Sequence, residues 1–243
     1  MASNRVLDVP IEGFGWGVIE KKLVGGERLW VVTANPEILL LARKNKKYRE
    51  AISSADLRTV DGFGLFLVSC VLRRKTERLT GVELSEHLLQ FAWKNHLRVG
   101  LLGGEFGEAA DAGAKLRESY PGLELLVEEG GVVGADGTED AKAEAARERM
   151  ILYSPQILLV AFGAPRQELW IQEHRNEFAD LRATVGVGGT FNFWAGRLRR
   201  APRWMRSFGL EWVWRLILEP RRIGRIWRAV VVFPILALFG AFR

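Results

Sequence analysis

Short apolar runs alternate with helical patterns along residues 29–189, and most of these runs end in glycine or a small polar residue. The runs Leu29–Thr33 and Leu57–Val60 are typical of buried strands, and each is followed by apolar residues at helical spacing. Strands that alternate with helices form a mainly parallel sheet covered on both faces. The sequence therefore predicts an α/β fold whose ligands bind at the exits of the strands.

The remaining elements follow the same pattern. Further strands are predicted over 97–102, 123–127, 156–161 and 183–187. Helices are predicted over 37–52, 63–72, 82–95, 108–119, 138–151 and, after the loop over 162–167, to about 176. Residues 1–28 suggest a short strand or hairpin. The helix over 63–72 is apolar nearly all round, which predicts that it is buried.

The exits of the first two strands carry polar side chains. Thr33 and Asn35 stand at the end of one strand and Asp61 directly after the other. Since parallel strands end at one edge of a sheet, we expect these side chains to lie together. Asp61 would serve as a general base on a hydroxyl, and the other two as hydrogen-bonding groups for a sugar or phosphate. Helix capping is the alternative for both Asn35 and Asp61. The spacing does not separate the two roles for Asp61, whereas the local pattern favours the cap for Asn35.

The strand over 97–102 runs into a glycine-rich loop and then a helix. Gly103 and Gly104 would let a phosphate approach the backbone at the start of that helix. The spacing does not match G-x-G-x-x-G, although Glu128 lies where a ribose-binding acid would sit. A nicotinamide-dependent oxidoreductase therefore remains an alternative, as does a tight turn that binds nothing.

Two later exits have similar chemistry. Arg166 supplies a bidentate donor and Gln167 an amide after the strand over 156–161. Gly188 lies in a third glycine-rich exit, after the strand over 183–187. Each loop is ambiguous alone, but several exits at one edge support each other as a single binding site.

The sequence argues against a metal site. None of the three histidines has a second His or Cys at metal-ligand spacing, and no Asp-x-Asp stretch occurs. A single cysteine, Cys70, excludes an intrachain disulfide. We therefore expect neither a metal nor another cofactor.

Charge divides the chain near residue 197. Residues 197–243 contain 11 Arg and two Glu, a net charge of +9, whereas residues 1–196 have 24 basic and 27 acidic residues, a net charge of −3. Apolar residues recur every four positions at Trp204, Phe208, Trp212 and Leu216, which predicts one amphipathic helix. We expect an α/β core over 1–196 and a basic amphipathic helical appendage over 197–243.

The chemistry of the appendage suggests its partner. An Arg- and Trp-rich amphipathic segment fits an anionic membrane surface, and the apolar run Ala229–Phe242 favours that reading. That run contains Pro234 and is shorter than the roughly 20 residues that a spanning helix needs. Nucleic acid is the rival partner, which the negative core disfavours. A third role is that some arginines bind a diphosphate at the sheet edge.

Six motifs in the core and three in the appendage carry a resemblance to a known family. They are Thr33-Ala34-Asn35-Pro36-Glu37, Asp61-Gly62-Phe63-Gly64, Arg78-Leu79-Thr80-Gly81, Leu102-Gly103-Gly104, Gly163-Ala164-Pro165-Arg166-Gln167-Glu168, Gly186-Val187-Gly188-Gly189-Thr190-Phe191, Arg200-Ala201-Pro202-Arg203-Trp204, Leu210-Glu211-Trp212 and Glu219-Pro220-Arg221-Arg222. In this order they resemble the WecG/TagA/CpsF glycosyltransferases (glycosyltransferase family 26).

The resemblance implies a Rossmann-like core and an inverting transferase that needs no metal. Such enzymes move N-acetylmannosamine, its uronic acid or glucose from a UDP-sugar to a polyprenyl-diphosphate-linked acceptor. They act in teichoic acid, common antigen, capsule or exopolysaccharide synthesis. The implied location is peripheral, on the cytoplasmic face of the bacterial membrane, and a homo-oligomer is compatible with the sequence.

The resemblance also assigns residues. It places the catalytic base on Asp61 and the pocket side chains on Thr33, Asn35, Arg78 and Gln167. Arginines of the appendage are implied to close the site, with Arg215, Arg221, Arg222 and Arg225 as the candidates. We expect the UDP diphosphate to lie across Gly103, Gly104 and Gly188.

Overall fold

The computed structural model describes residues 5–73 and 75–241. The chain starts with a hairpin of β1 (Arg5–Val6) and β2 (Val9–Pro10), followed by helix α1 (Trp16–Val24). The other strands are β3 (Leu29–Ala34), β4 (Leu57–Val60), β5 (Val99–Gly103), β6 (Leu125–Glu128), β7 (Ile157–Ala161) and β8 (Ala183–Gly186). The other core helices are α2 (Pro36–Lys44), α3 (Lys46–Ser53), α4 (Phe63–Val71), α5 (Gly81–Lys94), α6 (Glu108–Ser119), α7 (Ala141–Tyr153), α8 (Arg166–His174) and α9 (Thr190–Trp194).

Strands β3 to β8 form one parallel sheet in the order β4-β3-β8-β7-β5-β6. Two buried apolar clusters cover its faces. One contains residues of α2, α3, α4, α7 and α8, and the other contains residues of α1, α5, α6 and α9. The predicted α/β fold with helices on both faces is confirmed, and all six strands end at the same edge.

Two local predictions need correction. Helix α1 was not predicted, because the glycines around it obscure its short apolar face of Ile19 and Leu23. The helix predicted over 37–52 is two helices, because Asn45 has extended backbone angles between them. The Asn45 side chain accepts a hydrogen bond from the Tyr48 N–H (3.0 Å) and so starts α3.

The appendage contains several short helical pieces. They are α10 (Arg203–Ser207), α11 (Glu211–Leu218), a 3₁₀ turn (Pro220–Arg222), α12 (Ile223–Trp227), a π-helical turn (Arg228–Val232) and α13 (Phe233–Ala241). The predicted single helix through Trp204 and Leu216 is therefore wrong. Gly209 interrupts it with a φ of +71°, and the Phe63 ring lies against Gly209 where a Cβ would be. The amphipathic character of the appendage stays a prediction.

The end of the appendage is part of the main core. Phe233 and Ala237 of α13 are buried in the same apolar cluster as Val6 and Val68. The division between 1–196 and 197–243 stays a prediction, since residues on both sides of it build one core. No helix among the described residues is long and apolar enough to cross a membrane.

The helix predicted to be buried over 63–72 corresponds to α4, and one face of it is exposed, so the prediction is wrong for that face. In α4, Leu65, Val68 and Ser69 are buried, whereas Phe63 and Leu67 are exposed. Because β4 is the edge strand of the sheet, no further described strand of the sheet lies beyond α4, and its neighbours there come from the appendage.

Candidate active site

The strand exits meet at one edge, as predicted. Along that edge, Asp61 follows β4, Asn35 follows β3, Gly188 lies beyond β8, Gly163 beyond β7 and Gly103 ends β5. The Asp61 N–H donates to the Ala34 carbonyl (2.7 Å), which holds the first two exits side by side. The sequence thus predicted correctly which loops come together.

Asp61 lies in a half-buried position between β4 and α5. Its Oδ2 accepts a hydrogen bond from the Gly81 N–H (3.1 Å) at the start of α5. A Cβ on Gly81 would lie 3.4 Å from Thr33 Oγ1 and 3.6 Å from Asp61 Oδ2. The Thr33 hydroxyl and the Asp61 carboxylate therefore face the same glycine, and Gly81 leaves room between them.

The surroundings raise the pKa of Asp61 to about 7. Burial is the largest cause, and the carboxylates of Glu211 and Glu83 raise the pKa further. The Gly81 N–H and the Arg78 guanidinium act in the opposite direction. A carboxyl group with a pKa near neutrality is well suited to exchange a proton with a substrate hydroxyl.

Asn35 is the N-cap of α2. Its Oδ1 accepts a hydrogen bond from the Ile38 N–H (3.0 Å), and Pro36 occupies the first helical position. The cap uses the side-chain oxygen and does not require the amide nitrogen, which can donate a hydrogen bond. Both roles considered for Asn35 are therefore compatible, and substrate contact stays a prediction.

Arg78 lies beside Asp61, at the bridge that its backbone makes with Val60. Its Nη2 donates to the Arg206 carbonyl (2.9 Å) of the appendage. With Trp16, Glu83 and His87, Arg78 also lines a polar cleft of 380 Å³. The structure thus places Arg78, which the resemblance implies to be a pocket arginine, close enough to Asp61 to act on its pKa.

Gln167 holds two strand exits together. Its Oε1 accepts hydrogen bonds from the N–H groups of Gly163 (3.1 Å) and Gly188 (3.0 Å). Its Nε2 donates to buried Glu168 (2.7 Å), whose other oxygen accepts from the Tyr48 hydroxyl (3.0 Å). All these contacts are within the protein, so a contact between Gln167 and the sugar-nucleotide substrate stays a prediction. The neighbouring Arg166 is exposed at the edge.

We expect Gln167→Met to lower the free energy of unfolding by about 2–4 kcal/mol, because two backbone N–H groups and Glu168 lose their partner. The side chains have similar length, so packing changes little. Urea unfolding of this variant against Arg166→Met, at the exposed neighbouring position, measures the effect. Equal free energies of unfolding for the two variants would show that the hydrogen bonds of Gln167 to the Gly163 and Gly188 exits do not stabilise the fold.

The glycine loop after β5 is less suited to phosphate than its sequence suggests. The Gly104 N–H donates to Ala161, the Glu105 N–H to the Glu108 carboxylate (2.8 Å) and the Gly107 N–H to Glu129 (2.8 Å). The protein's own groups thus occupy the donors that would bind an anion. Phosphate binding by Gly103 and Gly104 stays a prediction that this bonding does not favour.

Glu128 is unsuited to ribose binding. Both of its oxygens accept from Arg149, at 2.8 Å from Nε and 2.8 Å from Nη2. Among the sequence alternatives, the nicotinamide-dependent enzyme thus loses its two supporting features, the free loop donors and the free acid.

The appendage lies over the Asp61 end of the edge. Arg200 pairs with Glu83 (3.5 Å) and Glu86 (3.1 Å) on α5. Gly209 contacts the Phe63 ring, and Gly64 approaches the Ala229 carbonyl closely. These contacts form a wall of the site from residues distant in the sequence.

The appendage arginines have different positions. The Arg215 guanidinium lies 5.2 Å from the centre of the Phe193 ring on α9, next to the Gly188 exit, and pairs with Glu219 (3.1 Å). Arg225 pairs with Glu37 on α2 (2.6 Å). Arg221 is exposed in the 3₁₀ turn, and the Arg222 side chain lies outside the described residues. Arg215 is thus the described candidate closest to a glycine-rich exit.

Sequence reasoning missed several groups around Asp61. The Trp16 and His87 rings stack at 5.0 Å in the cleft beside Arg78, and Glu211 of α11 acts on the Asp61 pKa. No sequence signal links Trp16 or Glu211 to this edge. The Gly81 position was detectable, because Thr80 and Glu83 form a capping box that starts α5 there.

The acidic groups do not form a metal site in the described part of the chain. There, no three His, Cys, Asp or Glu side chains lie close enough together to hold an ion. Metal independence remains a prediction, because the geometry of the ligands alone does not test it.

Comparison with known proteins identifies the family. The sequence profile of the Glycosyl transferase WecG/TagA/CpsF family matches residues 5–243. The N-acetylglucosaminyldiphosphoundecaprenol N-acetyl-beta-D-mannosaminyltransferase of Staphylococcus aureus strain MRSA252 is 35% identical over 208 residues, which cover 84% of this chain and 78% of that protein. Proteins of the same name from strains NCTC 8325 / PS 47 and COL are 33% identical over 206 residues, with the same coverage. The chain belongs to the WecG/TagA/CpsF family of glycosyltransferases.

Proposed function

We propose that this glycosyltransferase moves a sugar from a UDP-sugar to a polyprenyl-diphosphate-linked saccharide in bacterial cell-surface polymer synthesis. The names of the Staphylococcus aureus relatives describe transfer of N-acetylmannosamine to N-acetylglucosaminyl-diphosphoundecaprenol. An N-acetylmannosamine-type donor is therefore the first choice, ahead of its uronic acid or glucose.

The observation that carries this proposal is the half-buried Asp61 carboxylate, with a pKa of about 7 and one oxygen held by the Gly81 N–H. Asp61 takes the proton from the acceptor hydroxyl as that oxygen attacks the anomeric carbon of the donor. The bond to the UDP oxygen breaks on the opposite side, so the configuration inverts. Thr33 and Asn35 hold the transferred sugar at the neighbouring exit.

The order of the exits suggests how the donor lies. The β4 and β5 exits are four strand spacings apart, about 19 Å. An extended sugar nucleotide would place its sugar beside Asp61 and Asn35, its diphosphate near the β8 and β7 exits, and its nucleoside toward Gly103. The bonded N–H groups of the Gly104 loop support this position, because they disfavour a phosphate there.

The negative charge on the departing UDP requires cations at the β8 and β7 exits. Arg166 is exposed beside Gly163, and Arg215 lies next to the α9 helix that follows Gly188. Guanidinium groups bind diphosphates through paired hydrogen bonds. We assign them the charge stabilisation that a metal provides in other transferases, with Arg221 and Arg222 as further candidates.

The appendage provides the membrane contact in this proposal. Its net charge of +9 and its exposed Trp204 and Trp227 suit an anionic surface. The enzyme would then be peripheral, on the cytoplasmic face of the membrane, where the lipid-linked acceptor is within reach.

We expect UDP to raise the melting temperature of the protein, because Arg166 and Arg215 lie where they can bind its diphosphate. NADH should leave the melting temperature unchanged although it also has a diphosphate, because the groups that would bind a dinucleotide, the Gly104 loop and Glu128, are bonded within the protein. A thermal shift assay with each ligand measures this. The donor is then identified by incubating the protein with several UDP-sugars and a prenyl-diphosphate-linked N-acetylglucosamine, and by measuring UDP release. Stabilisation by NADH alone, with no UDP release from any donor, would contradict the proposed function.

A further inference from the structure

The open face of α4 presents an apolar stripe to solvent. Phe63, Leu67 and Val71 recur every four residues and are 37%, 46% and 55% exposed. Cys70 lies on the same face and is also exposed. A run of large apolar side chains on one exposed helix face is uncommon in a soluble protein and marks a binding surface.

The stripe continues into the appendage. Phe63 lies against Gly209, and the residue before this glycine, Phe208, is exposed. On the other side, α13 packs against α4 and presents Ile235 and Phe239 to solvent, opposite its buried Phe233. Residues of the core and of the appendage thus form one apolar surface.

Charge indicates what covers this surface. The sequence Arg73-Arg74-Lys75 follows α4 after Leu72, and the described members Arg73 and Lys75 are exposed. Arg43, Lys44 and Arg228 surround a neighbouring apolar pocket of 160 Å³ between α2 and the appendage. An apolar face bordered by cations is the pattern of segments that lie in the interface of an anionic bilayer.

A second copy of the chain fits this surface less well. The surface includes part of a segment with a net charge of +9, so pairing two copies through it would bring like charges together. An anionic membrane neutralises the same charges. The bilayer is therefore the occupant that the charge favours.

We propose that α4 of the core inserts its Phe63–Val71 face into an anionic bilayer together with the appendage. The helix has nine residues, about 13 Å, and lies along the membrane surface without spanning it. This inference rests on the proposed membrane association and extends it to the core. Since Phe63 is two residues after Asp61, insertion of α4 holds the candidate base at the level of the headgroups, where the diphosphate of a lipid-linked acceptor lies.

The single cysteine of the chain makes a direct test possible. Cys70 is labelled in the full chain with an environment-sensitive fluorophore, and vesicles of phosphatidylcholine with or without phosphatidylglycerol are added. We expect a severalfold rise in emission with the anionic vesicles, and quenching by lipids that carry a spin label. The control is the variant Cys70→Ser/Leu152→Cys, labelled at an exposed position on α7, whose emission should stay constant.

A pair of variants tests the same surface without a label. Leu67→Glu should lower the affinity for anionic vesicles by about tenfold, whereas Leu152→Glu should leave it unchanged. The proposal is overturned if the protein binds vesicles, the emission of the Cys70 label does not change and the two variants have equal affinities. It is also overturned if the wild-type protein does not bind the vesicles. A label that responds to protein concentration without vesicles would assign the face to self-association and overturn it too.

Transferase activity separates this inference from the proposed function. With a water-soluble short-chain acceptor, Leu67→Glu should release UDP at the wild-type rate, because Leu67 does not contact the site. If no UDP-sugar is turned over but the Cys70 label enters the bilayer, the proposed function fails and the membrane surface stands. If UDP is released and the label stays in water, the proposed function stands alone.

Discussion

Asp61→Asn is expected to fold normally and to lose transferase activity by about 10²–10⁴-fold, the usual contribution of a general base. An asparagine oxygen still accepts the hydrogen bond from the Gly81 N–H, but it cannot take a proton from the acceptor. UDP release under saturating donor measures the loss. Asp180→Asn is the matched control. Asp180 pairs with Arg98 where β8 and β5 begin, at the end of the strands away from the site. Near-wild-type turnover of Asp61→Asn would exclude Asp61 as the base.

The pH profile gives an independent check on the same residue. Because the base must be ionised, kcat/KM of the wild-type enzyme should fall about tenfold for each pH unit below about 7. An ordinary aspartate, with a pKa near 3.8, would remain ionised just below pH 7, so kcat/KM would not change with pH there.

Stability should change in the opposite direction to activity. The pKa of Asp61 is higher in the folded state than in the unfolded chain, so the wild-type fold loses stability as the pH rises from about 4 to about 7. A pKa of about 7 in place of 3.8 means that ionisation of Asp61 lowers the free energy of unfolding by at most about 4 kcal/mol. Asp61→Asn should therefore melt higher than the wild type at about pH 8 and at the same temperature at about pH 4. A lower melting temperature at both pH values would mean that the carboxylate stabilises the fold.

Phe233→Ala is expected to lower the free energy of unfolding by about 3–5 kcal/mol, because it leaves a cavity in the main core. Phe233 is fully buried beside α4 and the N-terminal hairpin, although it belongs to the appendage. Urea unfolding measures the difference. Phe239→Ala is the matched control on the same helix, and at 72% exposure it should change stability little.

The result for Phe233 also decides what a deletion of residues 197–243 means. If Phe233→Ala is strongly destabilised, a truncated core is expected to unfold readily, and its lack of activity would say nothing about catalysis. If the variant is as stable as the wild type, the core over 1–196 is independent, as the charge division in the sequence suggests. Point variants in the full chain are therefore the better test of the site.

The fold and the composition of the edge follow from the sequence because both depend on local patterns. Apolar runs of strand length are followed by helical spacing, and a parallel sheet then brings every exit to one side. For this reason the sequence predicts that Asp61 and Asn35 are neighbours and that the Gly188 exit lies at the same edge. The order of the strands, which separates Asp61 from Gly103 by four spacings, has no such local signal.

The parts that sequence reasoning missed depend on contacts between distant segments. The hydrogen bonds of Gln167 to Gly163 and Gly188 depend on the pairing of β7 with β8. The exposed face of α4 depends on β4 being the edge strand, since the same apolar helix in the middle of the sheet would be covered. The break at Gly209 depends on the Phe63 ring, which lies far away in the sequence.

The packing of α13 against β1 has a consequence for how this chain folds on the ribosome. Val6 and Phe233 belong to one buried cluster, so the N-terminal hairpin has no complete core until the segment around residue 233 has emerged. Contacts between such distant parts of a chain form late and slow the folding. Strand β2 also packs against α3, which is made early, so it is the part of the hairpin facing α13 that stays uncovered until the end of the chain has been made. Chaperones that bind exposed apolar segments have a target there during synthesis.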